Sequence, residues 1–114
     1  MKCLCLNARS IVNKFDLFHA TVSDIDADVI GITESWATEN ITDSELSMRG
    51  YQLFRRDRST GNRGGGVLLY VKNVWQPVAF DVSSTYGEHI WCRVSGAANG
   101  GAQGAAPPRN DIKI

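Results

Sequence analysis

The chain opens with a short apolar run, Cys3 to Leu6, that stops at Asn7. A run of this length bounded by a polar residue predicts a buried strand, with a loop from Asn7 to Val12 behind it. Asn13 is a good N-cap residue and Asp16 follows three positions later, so a helix is predicted to begin there with a capping-box-like start. Phe15, Phe18, Val22 and Ile25 recur at spacings of three, four and three, which puts them along one helical face. Asp24 to Ala27 closes the helix. Val29 to Thr33 is then apolar and β-branched without alternation, and it ends at Glu34. Strand, amphipathic helix and apolar strand make a βαβ unit with parallel strands and a right-handed crossover. A parallel pair is covered on both faces, which accounts for the missing alternation.

The pattern changes afterwards. Ala37 to Gly50 is polar, a loop with a helical turn around Ser44 to Met48. Tyr51 to Arg55 and Val67 to Val71 read as strands joined by a long Arg- and Gly-rich loop. Trp75 to Val82 and Glu88 to Val94 read as two more. A βαβ start followed by antiparallel strands predicts an α/β protein with a mixed sheet. Ser95 to Arg109 contains no Val, Ile, Leu or aromatic residue and lacks the apolar surface to order itself. The organisation expected is a folded region over residues 1–94 and a Gly/Ala-rich flexible tail over 95–114.

Composition adds little until it is divided. Hydrophobic residues make up 43% and charged residues 21% of the 114, ordinary for a globular protein, so general disorder is excluded. The formal net charge of zero conceals an asymmetry. Residues 1–48 hold three basic and eight acidic side chains, and residues 49–114 hold nine basic and four acidic. Opposed halves fit two solvated faces of opposite sign, or one place for a cation and another for an anionic polymer. Cys3, Cys5 and Cys92 form no metal-ligand pattern. Cys3 and Cys5 share one face of a strand and are expected to be small buried apolar groups, consistent with a reducing intracellular compartment, the nucleus included. The start lacks the apolar region of a signal peptide, and no run approaches the roughly 20 residues of a membrane span, so a soluble protein without membrane contact is expected.

Two polar residues stand where chemistry is expected. Asn7 and Glu34 each lie just past the carboxyl end of a strand in the βαβ unit, the edge at which open α/β sheets bind ligands. A carboxylate there is a hard oxygen ligand for Mg²⁺ or Mn²⁺, and a neutral amide beside it can bond a phosphate oxygen. The plainer alternatives are a turn-forming asparagine and a solvated glutamate.

The wording of four blocks favours the chemical reading. Asn7-Ala8-Arg9-Ser10-Ile11-Val12-Asn13-Lys14 resembles the opening motif of endonuclease domains from non-LTR retrotransposons, members of the endonuclease/exonuclease/phosphatase superfamily. Asp28-Val29-Ile30-Gly31-Ile32-Thr33-Glu34-Ser35-Trp36 resembles their second motif. Tyr51 to Arg58 with Gly64 to Val71 resembles the third, and Glu88 to Val94 the strand that follows. The resemblance implies the N-terminal half of a DNase I-like two-sheet α/β sandwich that nicks DNA with a divalent metal. It makes Glu34 the metal-binding glutamate and Asn7 the asparagine at the head of the active site. The family's later Gly-Asp-x-Asn and Ser-Asp-His motifs are not found here, and neither His19 nor His89 follows a Ser-Asp pair. The chain is therefore expected to lack a general base and to be inactive alone. Another phosphatase or nuclease of the superfamily, or a non-catalytic nucleic-acid-binding remnant, is the alternative.

Arg49, Arg55, Arg56, Arg58 and Arg63 surround a single Asp57. Contacts to the DNA phosphate backbone are one expectation, with Arg58 and above all Arg63 as candidates. The other is that Arg55 or Arg58 pairs with Asp57 and braces the loop. Gly64-Gly65-Gly66 either presents N–H groups to an anion or lets the chain turn tightly into the next strand. Trp36, Trp75 and Trp91 read first as packing residues, Trp36 being the one adjacent to Glu34. Oligomeric state is left open.

Overall fold

A computed structural model describes residues 2–57, 65–80, 90–94 and 110–114. The βαβ unit is present. Strands β1 (Cys3–Asn7) and β2 (Val29–Thr33) run parallel, with Cys3 beside Val29 and Asn7 beside Thr33, and helix α1 (Phe15–Ile25) joins them. The short helix α2 (Asp43–Leu46) falls in the predicted turn and starts with a capping box between Thr42 and Glu45. Strands β3 (Tyr51–Arg56) and β4 (Val67–Lys72) follow. β4 pairs antiparallel with both β2 and β3, giving the order β1-β2-β4-β3. β5 (Val78–Phe80), β6 (Trp91–Val94) and β7 (Asn110–Lys113) form a second, antiparallel sheet in that order.

β2 and β4 are buried on both faces, because each face meets a different core. Ile30, Ile32, Leu68 and Tyr70 join Phe18 and Val22 of α1 on one side. Val29, Val67, Leu69 and Val71 meet Ile90, Cys92 and Val94 of the second sheet on the other. That explains the unbroken apolar run of β2 as expected. Gly31 lies on the inter-sheet face, where an added Cβ would collide with the Ile114 side chain.

Four local expectations are corrected. Asn13 is not an N-cap: a 3₁₀ turn spans Val12–Lys14, and α1 starts at Phe15 with Lys14 at its N-cap and no side-chain cap bond. Cys3 and Cys5 are exposed rather than buried, β1 being the outermost strand of its sheet. The predicted strand Trp75 to Val82 begins late, because Asn73–Trp75 forms a 3₁₀ turn closed by left-handed Gln76 (φ 50°) and the strand starts only at Val78. Finally, the last part of the expected tail is a strand. Asn110–Lys113 pairs with β6, and Ile112 and Ile114 pack on the inter-sheet core, apolar anchors that the 95–109 stretch lacks. Residues 95–109, Arg58, Arg63 and His89 lie outside the described residues.

Candidate active site

The parallel register places Asn7 and Glu34 at the same end of adjacent strands, whose axes are roughly 5 Å apart. Backbone bonds continue past the strands and lock the two connections together. Ala8 N–H donates to the Thr33 carbonyl, Ser10 N–H to Glu34 and Ile11 N–H to Ser35, each at 2.9 Å. Arg9 (φ 46°) and Ser10 (φ 82°) take left-handed conformations to follow this path. The Lys14 ammonium closes the loop by donating to the Ala8 carbonyl at 2.9 Å.

Glu34 leaves the strand with φ 55° and Trp36 with φ 57°, and Ser35 between them is wholly buried. Two left-handed residues in three are costly for side chains other than glycine and persist only where the surroundings enforce them. The enforcing partner is the entry to β4. Ser35 N–H donates to the Gly66 carbonyl (3.2 Å) and Trp36 N–H to the Gly65 carbonyl (2.9 Å). Gly65 (φ 73°) and Gly66 (φ 87°) adopt angles natural only to glycine, and a Cβ at Gly66 would come within 2.6 Å of Ser35 Oγ. The tight-turn reading of these glycines is correct. The Gly65 N–H donates to a carboxylate of the protein itself, Glu34 Oε2, at 3.3 Å.

The same Oε2 accepts a 2.6 Å bond from Trp36 Nε1. The half-buried Glu34 carboxylate is thus held by an indole from its own turn and by a backbone amide 31 residues away. Trp36 was legible as a neighbour of Glu34. Ser35 is the participant that sequence reasoning misses, its one signal being the contiguity of Glu34-Ser35-Trp36.

Arg55 braces the fold, with bonds to Asp57 (2.7 and 3.3 Å), Asp43 (3.0 Å) and the Ile41 and Thr38 carbonyls (2.7 and 3.0 Å). Burial alone would lower the pKa of its guanidinium, but Asp57 and Asp43 more than offset this and hold it above its ordinary value. His19 rides on the exposed side of α1, its ring stacked on Phe15 at 6.2 Å. Among the described residues no three His, Cys, Asp or Glu side chains converge as a ready metal cage. No described helix is long and apolar enough to cross a membrane.

The fold is a known one. The chain matches the AP endonuclease of Leishmania major with a TM-score of 0.66 at 15% identity, over 82% of this chain and 35% of that one. It matches the catalytic domain of Xenopus laevis APE2 with a TM-score of 0.62 at 22% identity, over 77% of this chain and 30% of that one. A 3′ phosphatase from Neisseria, solved with a product DNA hairpin, matches with a TM-score of 0.62 at 19% identity, over 84% and 38%. No family model and no curated protein matches the sequence. At these identities the likeness establishes architecture: two sheets and helices arranged as part of a DNase I-like fold. The chain spans about a third of the length of the structures it matches.

Proposed function

We propose that the chain carries the N-terminal part of a divalent-metal-dependent phosphodiesterase that nicks DNA, derived from a non-LTR retrotransposon. Glu34 is the Mg²⁺ or Mn²⁺ ligand, and the Asn7 amide bonds a phosphate oxygen. The carrying observation is that adjacent parallel strands deliver both residues to one end of the sheet, with Glu34 on a strained, twice-anchored turn. The four motif-like blocks support the retrotransposon origin. The names of the matched structures, which include nucleases and a phosphatase with DNA product, support a phosphate-ester substrate. Arg58 and Arg63 are assigned to the DNA backbone by their place in the basic segment.

The donor set suits such an ion. Mg²⁺ keeps several waters and needs only one or two protein carboxylates, and Glu34 supplies one at a rim rather than in a closed core. When bound, the ion supplies polarisation of the phosphoryl oxygen and stabilisation of the leaving oxyanion. The chain's own work is positional. Trp36 and Gly65 orient the carboxylate, and the exposed Asn7 side chain meets the substrate phosphate. His19 lines a cleft with Asp26, Tyr51 and Lys72, toward the start of β2 and the opposite end from Glu34.

Titration of the full chain with Mn²⁺, followed by its electron paramagnetic resonance signal, tests the reading. Binding that is lost in Glu34→Gln is expected, and Mn²⁺ affinity indifferent to that change rejects it. The same chain is expected not to nick supercoiled plasmid. Nicking that vanishes in Glu34→Ala would show that the described residues underestimate its catalytic set. The likeness to a 3′ phosphatase favours one second reading. Release of phosphate from a soluble monoester, without plasmid nicking, would select it.

A further inference from the structure

Trp36 is the only aromatic residue among the exposed large hydrophobic side chains of the described residues, at 38% exposure. The other two tryptophans are occupied. Trp75 packs on the inter-sheet core with its N–H on Asp28 (3.2 Å), and the Lys113 ammonium lies 5.4 Å from the Trp91 ring centroid. Trp36 is held at three points: its left-handed φ, its backbone N–H on Gly65, and its indole N–H on Glu34. A large apolar ring fixed at a rim beside a candidate metal carboxylate keeps more than a third of its surface open to solvent.

We propose that Trp36 is a stacking platform for an unpaired nucleobase of the DNA engaged at Glu34. This rests on the nucleic-acid reading above. Every base has a π-face, so stacking on an aromatic ring tolerates any sequence. A base within a duplex already has neighbours on both faces and must leave the stack to use such a ring. The indole has one polar atom, a donor, and Glu34 has taken it, so nothing on the side chain remains to read a base's hydrogen-bonding edge. The platform therefore selects for an unpaired strand and not for base identity.

The test uses the full chain at low salt, with fluorescence anisotropy of a labelled single-stranded oligonucleotide and of a duplex of equal length. Folding of each variant is checked by circular dichroism. Single-strand binding should be the tighter. Trp36→Ala should weaken it about 5- to 150-fold, from the stacking energy of one base, and weaken duplex binding far less, only through the lost hold on Glu34. Trp36→Phe keeps a ring and should retain most of the affinity. Equal losses on both DNA forms, equal behaviour of the Ala and Phe variants, or a preference for duplex overturns the platform. DNA binding that ignores Trp36 overturns the platform alone, whereas no binding of either DNA by the unaltered chain overturns the nucleic-acid reading with it.

Discussion

β2 carries a carboxylate at each end, and each accepts from a tryptophan N–H and a backbone N–H. Asp28, before the strand, accepts from Trp75 Nε1 (3.2 Å) and Lys2 N–H (2.7 Å). Glu34, after it, accepts from Trp36 Nε1 (2.6 Å) and Gly65 N–H (3.3 Å). The donors match, but the settings do not. Around Asp28 the indole is packed into the inter-sheet core and Lys72 brings an ammonium to 3.8 Å. Around Glu34 the backbone is left-handed at two residues of three and Trp36 is 38% exposed. Strain collects where structure serves something other than stability. Asp28 therefore reads as a fastening of the fold, whereas in the proposed function Glu34 is the group held out to a metal. The cleft of about 400 Å³ near Asp28's end, between α1 and the start of β3, agrees. Its Tyr51 hydroxyl is committed to the Ala27 carbonyl (2.5 Å) and its Lys72 ammonium to Asp26 (2.7 Å).

The comparison is most easily broken at Gly66. Gly66→Ala puts a Cβ at φ 87° against Ser35 Oγ and should cost about 1–3 kcal/mol in urea unfolding, while also weakening Mn²⁺ binding through the displaced turn. A cost under about 0.5 kcal/mol would mean that the turn is not enforced from β4. Asp28→Asn should cost less, about 1 kcal/mol at pH 7, from weakened charge-assisted bonds. The Lys2 N–H and then the Trp75 N–H hold the Asp28 pKa below its ordinary value; desolvation opposes them, and the Lys72 charge adds a smaller lowering. Its contribution is therefore complete above an ordinary carboxylate pKa of about 3.9 and is lost as pH falls through the lowered folded value. The Asn variant should flatten that acid limb of the stability curve, and an unchanged limb would remove Asp28's role as a fastening. Glu34→Gln should move stability least, under about 0.5 kcal/mol, while abolishing Mn²⁺ binding. A large stability loss there would put both carboxylates in one structural class.

Much of this was legible in the chain. The βαβ unit, its parallel pairing and the shared end of Asn7 and Glu34 followed from apolar runs and their polar stops, because a strand buried on both faces leaves an unambiguous pattern. The start of α1 was misread because the Ile11 N–H is drawn to Ser35 across the sheet and a 3₁₀ turn forms where Asn13 promised a cap. Cys3 and Cys5 were misread because periodicity gives a residue's face but not whether the second layer reaches it. The bond from Gly65 to Glu34 was beyond local reasoning, since nothing near either residue encodes a partner 31 positions away.

Gly31 has a consequence for how the two layers can vary. Its missing side chain is a notch in β2 that receives Ile114, whose backbone exchanges hydrogen bonds with Ile90 beside the second sheet (2.8 and 3.0 Å). Substitution at position 31 alone would wedge the layers apart, while trimming of position 114 alone would leave a void. The two positions are free to drift only in concert, a reciprocal constraint joining sites 83 residues apart in the chain.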